Sequence, residues 1–351
     1  MSDRIADALK QAARAAGFEL AGIAAVEDFP ELRHFSDWLA AGHAGEMKYL
    51  EKRDANGDLR RASLRTAIPW ARSVVVCALN YNTAHPYSTQ VNDSDSGWIS
   101  RYAWSKEDYH NAVLRRLNQV EDHLRSVANT ELQSLCYVDT GPLVERVYAK
   151  YAGVGWIGKN TCIIHQKTGS WLFLGVIVTS LELKPDLPAP DRCGTCTRCI
   201  DACPTDALLA PYQLDSNRCI SYLTIEKRGD IPEELRDGMG HHVFGCDICQ
   251  DVCPWNSKAP VTAAVEFQPR EGLFNPALEW LAEMTEDEFR TRFRGSPIRR
   301  ARRAGLQRNA VIAMGNSGNP RFGPLLDRLA NDEEPGLAAH AKWAARKLAT
   351  S

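Results

Sequence analysis

The chain of 351 residues lacks any long apolar run, and its longest apolar stretch, around Trp171–Thr179, is far too short to cross a bilayer. Its first residues, MSDRIADALK, also lack the basic segment followed by an apolar segment that a secretory signal requires. We therefore expect a cytoplasmic, soluble protein with no membrane role, in a compartment where disulfides are rare. A hydrophobic content of 44% in a chain of this length allows two or three domains with a substantial core.

The sequence also has little net charge, formally −2, which gives no global reason to expect a nucleic-acid partner. The charge is unevenly distributed, however, because eight arginines lie between Arg290 and Arg308 and no acidic residue interrupts Phe289–Pro320. This arginine segment, residues 289–320, predicts a positive surface that phosphates can neutralise. From the segment alone, an ordinary solvated helix face is the alternative.

Signatures of nucleotide binding and of histidine metal sites are missing. The glycine-rich stretch Gly153–Thr161 has neither the Walker spacing nor the dinucleotide fingerprint. Its glycines either let the backbone approach a large cofactor or form a tight turn before a strand. No His-x3-His pattern accompanies His110 or the pair His241 and His242, so these histidines are weak candidates for ligands.

Cysteine, by contrast, is concentrated in one region, since eight of the eleven cysteines fall within 61 residues. Their order is Cys193-x2-Cys196-x2-Cys199-x3-Cys203-Pro204, then Cys219, then Cys246-x2-Cys249-x3-Cys253-Pro254. In bacterial ferredoxins, three close cysteines bind one iron–sulfur cluster and a fourth, followed by proline, binds the neighbouring cluster. The spacing therefore predicts two clusters and an electron-transfer function.

The same crossing rule divides the cysteines into two sets. The first cysteine set is Cys193, Cys196, Cys199 and Cys253. The second cysteine set is Cys203, Cys219, Cys246 and Cys249, in which Cys219 replaces the missing early cysteine of the second run. Two zinc sites with four cysteines each are the alternative. The other three, Cys77, Cys136 and Cys162, stand in apolar sequence and are predicted to be buried structural thiols.

Helix and strand signals alternate up to about residue 184 and predict one sheet-centred domain, giving an α+β fold overall. The predicted elements are a helix at 2–16, strands in GFELAGIAAV and SVVVCALNY, a helix at 107–127, a strand at 135–138, and a hairpin-like pair formed by TCIIHQ and WLFLGVIVTSLEL. The proline-rich segment 184–190 is the predicted linker. We expect a catalytic domain at 1–184, a two-cluster ferredoxin-like domain at 185–258 and stacked, HEAT-like helices at 259–351.

Asp139 is the candidate proton donor. It follows a predicted strand and precedes a Thr-Gly-Pro turn, and the carboxyl ends of strands are where α/β proteins tend to place reactive groups. An aspartate that holds the turn through its own hydrogen bonds is the alternative.

Several motifs together resemble the epoxyqueuosine reductase family along nearly the whole chain. They are ISRYAW with DYH at 99–110, VDTGPLVER at 138–146, GWIGKNT at 155–161, the cysteine runs, RCISYLTIE at 218–226, FGCDICQDVCPWN with its asparagine at 256, and the arginine segment with RNAVIAMGN. The resemblance is specific because generic ferredoxins share the cysteines alone.

The resemblance implies an oxidoreductase that uses cobalamin and two 4Fe-4S clusters to reduce epoxyqueuosine to queuosine at the wobble position of a transfer RNA. The clusters would pass electrons singly to cobalt, and Asp139, as a partly buried carboxyl, would protonate the departing oxygen. By motif, the resemblance assigns a cobalamin-lining role to Arg61, Tyr102, Asp139, Arg146, Asn160 and Ser221. Arg60 is the alternative to Arg61, since the family's Arg-x-x-Pro has Leu64 in place of proline. Cobalamin enzymes that ligate cobalt from below by histidine use the pattern Asp-x-His-x-x-Gly. The nearest segment here, which begins with Asp108 and contains His110, lacks the glycine, so no such ligand is expected.

The resemblance also makes the anticodon stem-loop the expected partner of the arginine segment, with Arg299, Arg300, Arg302 and Arg303 as main candidates. A low-potential electron donor of unknown identity is required, and a monomer suffices. A cobalamin-dependent reductive dehalogenase and a non-enzymatic iron–sulfur electron carrier are the competing interpretations of the whole chain.

Overall fold

A four-stranded sheet forms the centre of the N-terminal half in the computed structural model, which describes residues 2–350. The strands are β1 Leu20–Ala25, β2 Ser73–Asn80, β3 Trp98–Ile99, β4 Ser134–Tyr137, β5 Trp156–Ile157, β6 Ile163–Ile164, β7 Leu172–Thr179, β8 Leu208–Ala210, β9 Gln213–Leu214 and β10 His242–Phe244. The central sheet has the order β1-β2-β7-β4, and each neighbouring pair is antiparallel. Every residue of β2 is buried, because helices and loops cover both faces of the sheet.

The helices surround this sheet and then form most of the C-terminal third. They are α1 Ser2–Ala15, α2 Pro30–Ala40, α3 Leu64–Ala67, α4 Tyr109–Ala128, α5 Glu145–Tyr151, α6 Arg198–Asp201, α7 Ile220–Ile225, α8 Glu233–Arg236, α9 Ile248–Asp251, α10 Leu278–Glu283, α11 Glu286–Arg292, α12 Arg302–Asn316, α13 Gly323–Leu329 and α14 Pro335–Leu348. Short 3-10 helices lie at Lys48–Glu51, Ser88–Gln90, Arg101–Ala103, Ser216–Arg218, Asp237–Met239, Pro254–Asn256, Val265–Phe267, Pro297–Ala301 and Pro320–Phe322.

Helix α4 shows how the sequence pattern determines packing. Its apolar residues Val113, Leu117, Val120 and Leu124 recur at steps of three and four and are all fully buried. They face β7, where Gly175 allows a close approach, since a Cβ at that position would lie 2.7 Å from the Leu117 side chain. This packing fixes the position of Tyr109 in the first turn of α4.

The predicted hairpin between 161–166 and 171–183 is wrong. Strand β6 pairs with β5, whereas β7 joins the central sheet between β2 and β4. A single bridge between His165 and Gly169 closes the turn. The reason is burial, because β7 is apolar over most of its length and gains more by lying between two strands than by pairing with the short β6.

A second core joins distant parts of the chain. It combines Trp98 and Trp104 with Leu223, Phe244 and residues of the C-terminal helices such as Ala310. The helices predicted after residue 259 are present, and they pack on the cluster region as expected. Their classification as a HEAT-like repeat stays a prediction, as do the domain limits. None of the helices within residues 2–350 has the length and apolar character that crossing a bilayer demands.

Candidate active site

Asp139 stands at the end of β4 in a left-handed backbone conformation, with φ at 58°. The Tyr109 hydroxyl donates a hydrogen bond to its carboxylate, and the Tyr109 ring stacks on Phe173 with centroids 4.3 Å apart. No backbone N–H within residues 2–350 donates to this carboxylate, so Asp139 does not hold the turn in the manner of an Asx residue. The residue is exposed, which corrects the expectation of a partly buried carboxyl, because the strained turn carries it away from the buried Val138.

A second carboxylate, Glu145, lies close to Asp139 and was not singled out from the sequence. Its Oε1 atom is buried and has no hydrogen-bond partner among the described residues. Burial, followed by the nearby Asp139 carboxylate, raises the pKa of Glu145 to about 7, while Arg61 and Arg146 act in the opposite direction. The two arginines therefore lie near Glu145 although they come from different parts of the sequence. Only the burial of one carboxylate atom, which the sequence does not encode, distinguishes Glu145 from an ordinary helix-start glutamate.

The two candidate arginines have their own anchors. Arg61 donates from Nη1 to the carbonyl of Leu143 at 3.0 Å, and Arg146 donates from Nη1 to the carbonyl of Thr161 at 3.0 Å. Each bond uses part of a guanidinium that has five N–H donors, so both side chains keep donors for a ligand.

Tyr102 connects this carboxylate region with the cysteines. Its ring lies edge-on to Tyr109, with centroids 5.9 Å apart, and 6.1 Å from the ring of Phe244. Burial raises the pKa of Tyr102, and the carboxylates of Asp139 and Asp247 raise it further. Asp247 directly follows Cys246, so one aromatic ring lies within electrostatic reach of both the candidate acid and the second cysteine set.

The first cysteine set surrounds an exposed loop and the start of α6. Burial raises the pKa of Cys253 to about 11, and the neighbouring Cys193 and Cys199 raise it further, which places the far cysteine beside the near ones. Cys253 and Cys193 pack with Trp156 and Trp255, whose rings meet edge to face at 5.1 Å. Helix α6 contacts α9, so the two halves of the motif face each other.

The second cysteine set is half-buried, and its Cys219 and Cys246 pack against the core that contains Trp98 and Phe244. Burial raises the pKa of Cys246, with further contributions from Cys219 and Cys203. Cys246 and Cys219 likewise raise the pKa of Cys249. These neighbours belong to the same predicted set, and the ligand sets themselves stay a prediction. Within residues 2–350, no three His, Cys, Asp or Glu side chains form a site for a single metal ion. The cysteines would have to lose their protons to bind iron, and the metal itself provides that driving force.

Two of the three remaining cysteines are not the buried structural thiols that we expected. Cys77 is fully buried, but Cys136 is half-buried and donates to Glu121 at 3.5 Å. Cys162 is half-buried and lies beside Cys249, and this neighbouring thiol raises the pKa of Cys249. The error arose because an apolar sequence neighbourhood does not reveal which distant residue a side chain meets.

Asn160, predicted to line cobalamin, is buried and links the same two cysteines. Its Nδ2 donates to the Cys249 carbonyl at 3.2 Å, and its Oδ1 accepts from the Cys162 N–H at 3.2 Å. Its side-chain amide thus fastens the GWIGKNT loop to α9. Ser221, in α7, is half-buried two residues after Cys219.

The arginine segment is less uniformly positive than predicted. Arg299 and Arg302 are exposed and border a cavity of about 390 Å³, which Glu286, Phe289, Arg290, Arg303 and Ala304 also line. Arg300 forms an ion pair with Glu226 at 2.9 Å, and Arg303 forms one with Glu286 at 3.2 Å. Carboxylates outside the segment thus neutralise two of the four candidate arginines.

Arg308 is a core residue, so the positive surface predicted for the arginine segment does not include it. The residue is 5% exposed, and its guanidinium donates to the carbonyls of Leu223, Lys227 and Gly229. Three carbonyl acceptors compensate for its burial, so Arg308 supports α12 instead of facing solvent.

Together, these features define an iron–sulfur redox protein in which a two-cluster module adjoins an α+β domain with an exposed acid. The model of the 4Fe-4S double cluster binding domain matches residues 192–256, and that of epoxyqueuosine reductase QueG, DUF1730, matches residues 61–140. The epoxyqueuosine reductase of Synechocystis sp. is 43% identical over 293 residues, covering 83% of this chain and 98% of that protein. The one of Pseudomonas aeruginosa is 39% identical over 350 residues, covering 98% and 94%.

A solved epoxyqueuosine reductase with a tRNA-Tyr stem loop carrying the epoxyqueuosine modification is 30% identical, with a TM-score of 0.87. It covers 98% of this chain, which covers 90% of that structure. The chain belongs to the epoxyqueuosine reductase family.

Proposed function

We propose that the chain reduces epoxyqueuosine to queuosine at the wobble position of a transfer RNA, with electrons passing through two 4Fe-4S clusters to cobalamin and with Asp139 as proton donor. The observation that carries the proposal is the position of the Tyr102 ring, which lies against Tyr109, the hydrogen-bond partner of Asp139, on one side and against Phe244, two residues before Cys246, on the other. Family membership supports the reaction, and the matched double-cluster domain supports the electron path. The chain then acts as a monomer with a separate low-potential electron donor, and its three parts are the domains 1–184, 185–258 and 259–351.

The residues proposed to line cobalamin offer a suitable set of groups. The guanidinium groups of Arg61 and Arg146 and the hydroxyl of Ser221 are donors for the amides and the phosphate of a corrinoid. The Glu145 Oε1 atom, which has no partner within residues 2–350, is a free acceptor at the same place. When bound, cobalamin supplies reduced cobalt, a strong nucleophile toward a strained epoxide. Asn160 supports the cobalamin site indirectly, since its side-chain amide already bonds to the backbones of Cys162 and Cys249.

In this proposal, Asp139 carries the proton that the epoxide oxygen receives as its carbon–oxygen bond breaks. An exposed carboxyl at a strand end can reach a substrate that comes from outside. The Tyr109 hydroxyl orients the carboxylate, and stacking on Phe173 fixes the Tyr109 ring. General acid catalysis by a positioned group is worth about 10²–10⁴ in rate.

The test is anaerobic single-turnover reduction of transfer RNA that carries epoxyqueuosine, followed by nucleoside mass spectrometry. With clusters and cobalamin intact, we expect Asp139→Asn to form queuosine about 10²–10⁴ times more slowly than the wild type. Asp122→Asn makes the same change at an exposed position of α4 and should leave the rate unchanged. Absence of queuosine from fully loaded wild-type protein would refute the function, and a normal rate for Asp139→Asn would refute the assigned acid.

We further propose that the exposed arginines beside the 390 Å³ cavity bind phosphates of the anticodon stem-loop. A relative solved with a modified stem loop supports an RNA partner. Removing one arginine that binds a phosphate should reduce the slope of log affinity against log salt by about one unit. We expect this for Arg299→Ala and Arg302→Ala, and a smaller change for Arg300→Ala, whose guanidinium is paired with Glu226. Binding measured between about 50 and 200 mM salt tests this, and equal slopes in all three variants would contradict it.

A further inference from the structure

Asp247 is a buried carboxylate inside the second cysteine motif, between Cys246 and Cys249, and it is 1% exposed. It accepts hydrogen bonds from Trp98 Nε1 at 3.0 Å, from Ser100 Oγ at 2.5 Å and from the Arg101 backbone N–H at 2.8 Å. A buried carboxylate is costly unless donors of this kind compensate for its lost hydration. All three donors come from residues 98–101, a segment distant in sequence from the cysteines.

The backbone reinforces this connection. Strand β10 runs parallel to β3, and the Ser100 N–H donates to the Phe244 carbonyl at 2.7 Å. Gly245 has φ at 71°, and a Cβ there would lie 2.5 Å from the Ser100 Cβ. A glycine is therefore needed for residues 98–101 to approach the chain just before Cys246 so closely.

The next residue, Arg101, holds the other side of the segment. Its guanidinium is buried and donates to the carbonyls of Thr83, His85 and Pro86. The segment is thus fixed on one side by the second cysteine motif and on the other by residues 83–86. It continues directly into Tyr102, the residue within reach of Asp139.

We propose that Asp247 is a positioning residue that holds the Cys246–Cys249 loop against residues 98–101 and so keeps the second cluster at a constant separation from the cobalamin-lining Tyr102. The inference rests on the proposed function for the presence of clusters and cobalamin. Outer partners of metal ligands commonly contribute a factor of about 10–100 to activity. Asp247 acts through the loop that carries the ligands and touches neither substrate nor cobalamin.

The test measures electron transfer from reduced clusters to bound cobalamin, followed by visible absorption in the absence of transfer RNA. We expect Asp247→Asn to slow this step by about 10–100-fold with both clusters bound. Ser100→Ala removes one donor from the opposite side and should slow the step in the same direction by a smaller factor. The control is Asp122→Asn, which makes the same change at an exposed position of α4. It should transfer electrons at the wild-type rate.

A redox titration of each variant by electron paramagnetic resonance separates a change in driving force from a change in position. A wild-type rate in Asp247→Asn with both clusters bound would overturn the proposal. So would equal slowing in Asp247→Asn and Asp122→Asn, which would indicate a general effect of charge. If Asp247→Asn loses the second cluster, Ser100→Ala decides, and a wild-type rate there overturns the proposal. If wild-type protein binds no cobalamin, the proposed function fails first. Hydrogen exchange of residues 98–101 that is unchanged in both Asp247→Asn and Ser100→Ala would then overturn the positioning role as well.

Discussion

The two cysteine sets differ in how their surroundings are built. Most of the first set lies in one loop, residues 193–199, whose cysteines are half-exposed and whose other residues mostly face solvent. The second set draws on three segments and rests against the core that includes Trp98, Phe244 and α12. A cluster near the surface is suited to receive electrons from a partner, and a cluster in a rigid core is suited to deliver them over a fixed distance. We therefore expect electrons to enter the protein at the first cluster and to leave from the second cluster toward the active site.

The largest expected effect comes from removing one ligand of each set. We expect Cys246→Ser to lose the second cluster and to form no queuosine with any reductant, because the cluster that passes electrons to the active site is absent. Cys193→Ser should lose the first cluster but retain queuosine formation with a small chemical reductant that can reach the second cluster directly. Iron content and cluster spectra measure the loss of each cluster, and nucleoside mass spectrometry measures queuosine formation. Equal loss of activity in the two variants would contradict the assigned order.

The buried surroundings of the second set should depend on single polar contacts. Asn309 is fully buried and donates to the carbonyls of Thr224 and Val243 at 2.9 Å each. Asn309→Ala leaves two buried acceptors without donors and should destabilise this region by about 1–3 kcal/mol for each. Hydrogen exchange of β10, compared with exchange in residues 193–199, is the measurement. Faster exchange confined to residues 193–199, with β10 unchanged, would contradict this prediction.

Acid should destabilise the surroundings of the second cysteine set before those of the first. Burial lowers the pKa of His242 to about 3, with a smaller contribution from His241, so the folded state keeps this histidine neutral. The unfolded chain binds one more proton as pH falls below about 6.5, and stability present above that pH is lost at about 1.4 kcal/mol per pH unit toward pH 3. Exchange of β10, corrected for its intrinsic pH dependence, should therefore accelerate below pH 6.5. His242→Gln should remove this dependence, and an unchanged slope would count against it.

The smallest effect is expected at the exposed loop. Lys159 donates from Nζ to the carbonyls of Gly194 and Cys196 at 2.7 and 3.0 Å. Because solvent can replace these bonds, Lys159→Met should cost about 0.5–1.5 kcal/mol locally. Hydrogen exchange of residues 193–199 would detect it. A loss as large as that of Asn309→Ala would show that the first region is no more tolerant than the second.

Patterns of local spacing predicted α4 and the strands at 73–80 and 134–137 to within two residues, because a buried face imposes a period on the sequence. Failures came where distant residues decide. The pairing of β6 with β5, the burial of Arg308 and the contact of Cys162 with Cys249 all depend on partners far along the chain. At the site, the position at a strand end nominated Asp139 and motif matching nominated Tyr102, and their proximity emerged from the fold. Glu145 had no local signal, since what distinguishes it is one buried oxygen.

The packing of α12 on the second cysteine region has a consequence for biosynthesis. Asn309 and Arg308 complete the hydrogen bonding of Leu223, Thr224 and Val243, the backbone between Cys219 and Cys246. A ribosome must therefore synthesise and release most of the C-terminal third before this region can reach its final form. We expect the cell to insert the second cluster after translation, whereas the first can be loaded once Cys253 has emerged.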